Sequence, residues 1–568
     1  MTVSNTYTPV SARRRWLIIA AIAIPVFVGS LDLTVVSAFL PELIFELELP
    51  PQTGVDDVAW ILSVYLLAYT VGLTFMGRVS DLLGRRAVYV ICLLIFITGS
   101  VLVAIAHAGP TDLMYNTLRR MGERPDRNQL NLIALVFGRA VQALGAGALV
   151  PVSLALVGDL FPPGKRAQPL GLVGAIDTLG WVLGHLYGGL MVEFFRRNEG
   201  RFVDLFQSLG LDWGPPDWRT LFWINVPLTF FALFVTLWAL RGIEMHRVKG
   251  RFDWLGAIFI IGALVAMNVG LGANVDLGAD TSSFEDLSQI PPYAVPLMTV
   301  AFICFLIFIL VESRVRDPLF RLSLFRRRNL SLGLASNLFI GYCLFIGLVI
   351  VPILVNVRVE SSDQLGEAAL DVGLLLSALT VPMALAAVPG GWLADRIGYA
   401  RTVAGGLSLS VLGFLIIWQT WTLEISSAII AVQMALVGIG LGLTFSPIST
   451  SVINAATDED RGVASALVII VRLIGMTVSV TSLSTIALNR VNALVGPQLE
   501  AIGTDIDAYT SLYANTTVDV LAELGLVGAI LCGVAMVPAL FLQGGRSDES
   551  AGIPVPARDD APVYDTGD

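Results

Sequence analysis

The strongest constraint on this chain is a series of apolar runs, each long enough to cross a bilayer as a helix. A helix needs about 20 apolar residues to span the hydrocarbon layer, and we count fourteen such runs. Only 14% of the 568 residues are charged, whereas soluble proteins carry about 25%. The sequence therefore predicts an all-α membrane protein. The runs lie near 16–40, 58–77, 86–106, 131–156, 168–194, 220–240, 254–274, 293–312, 331–356, 368–391, 401–421, 427–453, 462–490 and 519–543.

A short motif, G-x-x-x-D-x-x-G, occurs twice, each time after a long apolar run. Its aspartates, Asp81 and Asp395, are 314 positions apart, whereas the G-x-G sequences at 145–147 and 440–442 are 295 positions apart. The difference places 19 extra residues in the first copy, and the polar stretch 107–130, drawn as an external loop, is the obvious place for them. A duplicated helical membrane chain is typical of a transporter built from two related halves.

These features divide the chain into four parts. Residues 1–242 form a six-helix bundle, 243–330 a linker with two membrane helices, 331–545 a second six-helix bundle, and 546–568 an acidic, disordered tail. Arginine and lysine are concentrated in alternate short loops, so the positive-inside rule predicts that both termini are cytoplasmic. We expect a multi-pass protein of a bacterial inner membrane.

Several function classes are excluded by what the sequence lacks. The four cysteines lie inside apolar runs, so no disulfide framework is indicated. There is no Walker A motif, no cluster of zinc ligands and no nucleophile elbow, so neither ATP hydrolysis nor catalysis is expected. The net charge of −10 says little about a nucleic-acid partner in a membrane protein, and none is expected. We predict no metal and no cofactor, with a proton gradient as the energy source.

Motifs in the first half resemble those of the major facilitator superfamily, and more narrowly its fourteen-helix drug:proton antiporters. They are LDLTVV at 31–36, GRAVQALGAG at 138–147, GWVLGHLYGG at 180–189, and WR with FWINVP at 218–227. The resemblance implies two six-helix bundles with two central helices, a monomer that works by alternating access, and proton-coupled export. The antiporter motif falls on Gly180, Gly184, Gly188 and Gly189, with His185 where proline is expected.

Segments 138–160, 171–189 and 464–476 are also similar to mycobacterial triacylglyceride exporters that act as multidrug pumps. That resemblance implies an acid in the fifth helix and an arginine in the penultimate helix. The arginine matches Arg472, whereas the acid position falls on Thr178, one residue from Asp177. One residue turns a side chain by about 100° around a helix, so whether Asp177 replaces the acid stays open. A periplasmic lipoprotein could contact the loop at 119–127.

Four charged residues lie inside predicted membrane helices, where charge is costly and is usually paired or functional. Counting along the helices places Asp32 and Arg139 in the outer half, able to face one another. Asp177 and Arg472 lie near the midplane, on different halves. We predict that all four take part in proton coupling. The alternatives are a permanent structural ion pair for the first two and local partners for the others.

The repeated motif is expected to act as a conformational latch. The glycines of the motif allow backbones to approach closely and the chain to turn sharply. Asp81 either caps the next helix or pairs with Arg85. Asp159 is the second expected partner of Arg85; simple orientation by positive charge is the alternative. Tyr399 replaces the arginine in the second copy, so that latch should be weaker. The latch residues are Gly77, Asp81, Gly84, Arg85, Asp159 and Asp395.

The remaining polar and aromatic candidates have plainer interpretations. The glycines of the fifth helix should permit close helix packing, and His185 is either interfacial or a titrating group. A substrate cavity is predicted from four residues: Gln142, Phe339, Tyr342 and Phe345.

Together these features predict a proton-coupled efflux transporter for lipophilic or amphipathic compounds, surrounded by membrane lipids. Two alternatives stay open. One is a lipid exporter that takes triacylglyceride-like molecules through a lateral opening, and the other is a transporter-like receptor that does not translocate its ligand.

Overall fold

The computed structural model describes residues 11–39, 43, 46–47, 54–162, 165–208, 210, 214–243, 250–271, 293–358, 365–502 and 506–545. The predicted tail at 546–568 lies outside this part of the chain. So does the side chain of His185.

All regular structure in the described residues is helical, in sixteen α-helices and three short 3-10 turns. The first half contains α1 (Ala12–Val35), α2 (Gly54–Leu83), α3 (Arg85–Ala104), α4 (Gly109–Arg120), α5 (Arg127–Leu160), α6 (Ala167–Arg197), α7 (Glu199–Ser208) and α8 (Arg219–Ala239). The linker contains α9 (Trp254–Gly270) and α10 (Ala294–Glu312). The second half contains α11 (Arg328–Val357), α12 (Leu365–Ile397), α13 (Tyr399–Thr420), α14 (Ser427–Ala455), α15 (Arg461–Ile502) and α16 (Ile506–Leu540).

A helix matches each of the fourteen apolar runs, but the count of fourteen spans is not confirmed. Twelve helices in the described residues are long and apolar enough to cross a membrane, and the bent helix α6 raises this to thirteen. Helix α6 bends by 45° between Trp181 and Leu186. The linker helix α9 has only 17 residues.

Three boundaries differ from the sequence prediction. The 107–130 insertion is not a plain loop: it contains α4, which starts after Pro110 and is tied to α5 by an Asp112–Arg127 ion pair of 2.7 Å. The signature motif at 77–84 is helical up to Leu83, and only Gly84, with φ of 92°, breaks the chain direction.

The last two helices, α15 and α16, are also longer than the apolar runs predicted. Helix α15 has 42 residues, about 63 Å at 1.5 Å per residue, against a hydrocarbon layer of about 30 Å. Its far end is amphipathic, with Leu483, Ala487, Val491 and Val495 buried at four-residue intervals. An ion pair of 2.9 Å between Arg490 and Glu523 joins the two helices there. Hydropathy alone misses this extension because its other faces are polar.

Each half has its own apolar core, and the two halves meet along helix pairs α2–α15 and α6–α12. The linker helices pack outside the bundles, where Ile260 and Phe308 share a core with Leu334 and Val468 of the second half. The ring of Phe252 lies 6.3 Å from that of Phe75 on α2, so the linker contacts both halves.

Candidate functional site: two buried charge pairs and a pair of latches

Asp32 and Arg139 form an ion pair, as their positions along the helices predicted. The Arg139 Nη1 lies 2.5 Å from Asp32 Oδ2, and Nη2 donates to the Asp32 carbonyl at 3.1 Å. Asn225 of α8 donates to the other carboxylate oxygen at 2.6 Å. The Arg139 guanidinium also stacks 4.0 Å from the ring centroid of Tyr65. Both charged side chains have no exposed surface, so this pair is sealed inside the first half.

Gln142 belongs to the hydrogen-bond network around this buried ion pair. Its Oε1 accepts from Arg139 at 2.8 Å and its Nε2 donates to Ser100 at 2.9 Å. Because Gln142 is fully buried in this network, the prediction that it lines a substrate cavity is wrong for this conformation. The same holds for Phe345, which is packed in the second core with 1% of its surface exposed.

The other two predicted cavity residues keep some exposed surface. Phe339 and Tyr342 are partly buried and pack at the edge of the second core. The Tyr342 hydroxyl lies 2.5 Å from that of Ser482 on α15.

Asp177 and Arg472 have a different environment from the first pair. Asp177 accepts a hydrogen bond of 2.6 Å from Ser30 on α1. The Arg472 guanidinium stacks 4.2 Å from the Phe445 centroid, and its Nε has no hydrogen-bond partner among the described residues. The two charges attract one another but make no ion pair within 4 Å in the part of the chain described. Both remain part-exposed although they lie well inside long helices of different halves.

Asp177 and Arg472 come from different halves and attract one another, so their site lies at the interface between the halves. Tyr69 of α2, almost fully buried, lies within electrostatic reach of both charges. This site therefore joins α2 and α6 of the first half to α15 of the second. Neither Ser30 nor Tyr69 was expected from the sequence, since nothing in their local pattern marks them.

The first latch is built around Asp159 at the end of α5. Arg85 lies 2.5 Å from Asp81 and 3.3 Å from Asp159, which confirms the predicted ion pairs. Arg461 of the second half reaches the other oxygen of Asp159 at 3.1 Å. Asp159 therefore holds an arginine from each half. The alternative that Asp81 caps α3 is wrong, because Gly84 begins that helix without a side-chain cap.

Gly77 and Asp81 also pack directly against the start of α15. A Cβ on Gly77 would lie 2.5 Å from the Gly462 carbonyl oxygen. A Cβ on Gly462 would lie 2.8 Å from each carboxylate oxygen of Asp81, so that carboxylate faces the first turn of α15. The positive end of the helix dipole is located there. A side chain larger than glycine at either position would push the halves apart.

The second latch is the symmetry-related copy of the first, but its central side chain is the neutral amide of Asn454. Arg166 of the first half donates to Asn454 at 2.7 Å, and Asn454 donates to the Tyr399 hydroxyl at 3.0 Å. Asn454 follows Asp159 by 295 positions, the same offset as the repeat. The sequence analysis did not assign Asn454, Arg166 or Arg461 to a latch, although the 295-residue offset relates Arg166 to Arg461 and Asp159 to Asn454.

The neighbouring helix contact is duplicated as well. A Cβ on Gly391 would lie 2.6 Å from the Ala167 carbonyl oxygen at the start of α6. Asp395, by contrast, makes no hydrogen bond or ion pair with any described residue. Both latches lie at the same end of the bundles, which we call the latch end, and there the two halves are in direct contact.

The antiporter-motif glycines have two roles. Gly180 and Gly184 face α1, where a Cβ would meet Ser30 in the first case and Thr34 with Leu31 in the second. These two allow close packing, as predicted. Gly189 has open space around it, so the packing prediction is wrong there. Gly188 is buried.

Away from the latch end, the segment after α1 is tied to the start of α8. Glu46 accepts hydrogen bonds of 3.0 Å from Trp218 and 3.1 Å from Arg219. Burial opposes ionisation of Glu46, but these bonds outweigh burial and hold its pKa below the usual value. Trp218 and Arg219 of the family motif therefore hold this segment against the start of α8.

Comparison with known proteins agrees with this architecture. The Major Facilitator Superfamily model matches residues 22–480. The triacylglyceride transporter of Mycobacteroides abscessus is 29% identical over 499 residues, covering 86% of this chain and 85% of the relative. The triacylglyceride transporter of Mycobacterium tuberculosis is 28% identical over 547 residues, covering 93% and 95%.

Two solved structures share the fold at low sequence identity. A human organic anion transporter aligns with a TM-score of 0.55 and 15% identity, over 91% of this chain and 99% of its own. A proton:xylose symporter aligns with a TM-score of 0.55 and 13% identity, over 94% and 98%. The repeated latches, the two bundles and the family match lead to one conclusion: this multi-pass membrane protein is a transporter of the major facilitator superfamily.

Proposed function

We propose that the protein exports lipophilic or amphipathic compounds in exchange for protons, with Asp177 as the proton carrier. The observation that carries this proposal is the Asp177–Arg472 site: two opposite charges from different halves, part-exposed and not in direct contact. Protonation of Asp177 would remove its attraction for Arg472 and change the relative stability of the access states. A bundle equilibrium responds to a ligand only through such a difference between states.

Asp32 is the less suitable carrier in this conformation. It has no exposed surface and is held by Arg139 and Asn225. A proton would have to enter a sealed network and leave Arg139 buried without its partner, which is costly. We therefore assign the Asp32–Arg139 pair a supporting role in the first bundle and place the exchange of protons at Asp177.

Export of a neutral lipid is the second candidate function. The relatives named triacylglyceride transporters favour it, since they align over most of both chains. The proposal also includes a bacterial inner membrane with both termini cytoplasmic, a monomer, and a periplasmic lipoprotein as a partner for 119–127.

Transport by purified protein in liposomes under an imposed pH gradient tests the proposal. Flux of a lipophilic dye and of a labelled triacylglyceride is measured for wild type, Asp177→Asn, Arg472→Ala and, as a control, Glu523→Gln, an acid in the middle of α16 that pairs with Arg490 and not with Arg472. We expect gradient-driven flux in wild type and the control. The two central variants should lose it by about 5- to 150-fold, the usual size of coupling between sites.

The outcomes separate the candidates. Wild-type flux that ignores the gradient, or an Asp177→Asn variant that keeps its full response, would contradict proton coupling at this site. Transport of the lipid alone would replace drug efflux with lipid export. Specific binding of either compound without any flux would favour the receptor.

A further inference from the structure

A second group of buried acids lies outside the transport site, at the base of the linker hairpin. Asp253 precedes α9, and its Oδ1 accepts the backbone N–H groups of Leu255 and Gly256 at 3.1 and 3.0 Å. Asp253 is only 8% exposed, and its Oδ2 has no hydrogen-bond partner in the part of the chain described. A buried carboxylate oxygen without a partner is costly, so this oxygen needs an explanation.

Glu312, the last residue of α10, approaches the same place. Its two oxygens accept the backbone N–H groups of Leu319 and Phe320 at 3.2 and 3.1 Å, and the side chain is 4% exposed. These bonds turn the chain back toward the bundles after α10. Glu312 thus uses both oxygens as acceptors, whereas Asp253 uses only one.

Gly256 brings the two carboxylates together. A Cβ at this position would clash with Asp253 Oδ2 and lie 2.7 Å from Glu312 Oε1. Both oxygens therefore lie beside the space that one methyl group would fill. Their separation is within the ~4–6 Å over which one charge changes the protonation of another. Any residue larger than glycine would keep them apart.

Charged residues of α2 and of the segment after α10 accompany this pair. From α2, Arg78 is 3% exposed, has an unpartnered Nε and attracts Glu312. Arg78 also attracts Asp81 of the first latch. From the segment after α10, Asp317 accepts the backbone N–H of Arg251 at 3.1 Å and lies near Arg78. From the turn before α11, Arg321 pairs with Glu459 at 3.0 Å and with Asp460.

We propose that Asp253 and Glu312 form a second proton-binding site, which holds one proton between Asp253 Oδ2 and Glu312 Oε1. The proton gives the unpartnered Asp253 Oδ2 a hydrogen-bond partner in the Glu312 carboxyl group. One proton also leaves the pair with a single negative charge beside Arg78. Two ionised carboxylates in this desolvated space would repel one another.

The site connects the linker to the latch end. The pair lies beside Arg78, which is adjacent to Gly77 in the signature motif, while Arg321 reaches Asp460, adjacent to Arg461. Loss of the proton at alkaline pH separates the bases of α9 and α10 and loosens the contact of the linker with α2. This inference does not rest on the proposed export, because it concerns residues outside the transport site.

Infrared difference spectroscopy of the full chain in lipid nanodiscs, between pH 6 and pH 9, tests the site with the proton itself as the probe. Wild type should lose a band of a buried protonated carboxyl group as the pH rises. That component should be missing from Asp253→Asn and from Glu312→Gln. Asp317→Asn, which removes a neighbouring acid outside the pair, should keep it. If both pair variants keep the wild-type band, the proposal is overturned.

Thermal unfolding over the same pH range gives a second measurement. A proton bound in the folded state and absent from the unfolded state makes stability fall as the pH rises. The melting temperature of wild type should therefore decline more steeply than that of Glu312→Gln, whose amide can donate to Asp253 at any pH. Equal slopes for wild type and both pair variants would also overturn the proposal, whatever the transport assay shows.

Discussion

At the scale of single residues, the two aspartate–arginine pairs have the same residue types but differ in burial. Asp32 and Arg139 are sealed, in direct contact and supported by Asn225. Asp177 and Arg472 are part-exposed and have no such contact in this conformation. A charge that solvent or substrate can reach can titrate during a transport cycle. A sealed pair serves the bundle as a structural unit.

Stability measurements distinguish these roles. Replacing Arg139 with glutamine leaves the Asp32 carboxylate buried without its ion partner, and breaking a buried pair costs about 3–5 kcal/mol. We expect a strong fall in the melting temperature of Arg139→Gln, measured in detergent by intrinsic fluorescence. The double variant Asp32→Asn/Arg139→Gln should recover part of the loss because no charge is then left unpaired. Strictly additive losses from the two single replacements would show that the residues do not form an energetic pair.

At the scale of elements, the packing of α6 on α1 depends on glycine at defined points. Gly180 and Gly184 face the backbone of α1 so closely that a Cβ has no room, whereas Gly189 lies in open space on the same helix. The G-x-x-x-G pattern alone does not distinguish these positions.

Alanine at these glycines gives a matched comparison. Both Gly184→Ala and Gly189→Ala gain up to about 1 kcal/mol of helix propensity. Only Gly184→Ala introduces a methyl group against Thr34 and Leu31, and overpacking of this kind typically costs about 1–3 kcal/mol. We expect a lower melting temperature for Gly184→Ala and an unchanged or higher one for Gly189→Ala. A neutral Gly184→Ala would show that α1 and α6 can separate without cost.

At the scale of the whole molecule, two latches of unequal chemistry join the halves at one end. The first places the Asp159 carboxylate between Arg85 and Arg461, and the second places the Asn454 amide between Tyr399 and Arg166. The fold duplicates the positions, while the sequence places a carboxylate at the centre of one latch and a neutral amide at the centre of the other. Release of the ionic latch should therefore dominate the energy needed to open this end.

Reciprocal replacements at the two equivalent positions test this asymmetry. Asp159→Asn should shift the equilibrium toward opening of the latch end by about tenfold, equivalent to ~1.4 kcal/mol. Asn454→Asp should shift it toward closure by adding an ion pair with Arg166. Distances between spin labels on α5 and α14 at the latch end report both changes. Equal effects in the same direction would show that charge at these positions does not control opening.

Apolar length and the repeat predict those parts of the molecule that depend on local sequence pattern. Apolar length found all the long helices, and the repeat located the latch helices, because both signals are local in the chain. The same signals underestimated α15, whose far end is amphipathic, and treated the 107–130 insertion as a loop although α4 lies within it. Gln142 and Phe345 were assigned to a cavity from their residue types, but neighbouring helices enclose both.

The sequence by itself determined that this chain is a helical membrane protein of two related halves, and it identified the charged residues that such a membrane makes costly. Those properties follow from composition, run length and the spacing of a repeat. Only the tertiary structure decided which acid is sealed and which stays part-exposed between the halves, and that Asp253 approaches Glu312 at Gly256. The physical reason is that the exposure and partners of a side chain depend on neighbouring helices distant in the sequence, and no local pattern contains that information.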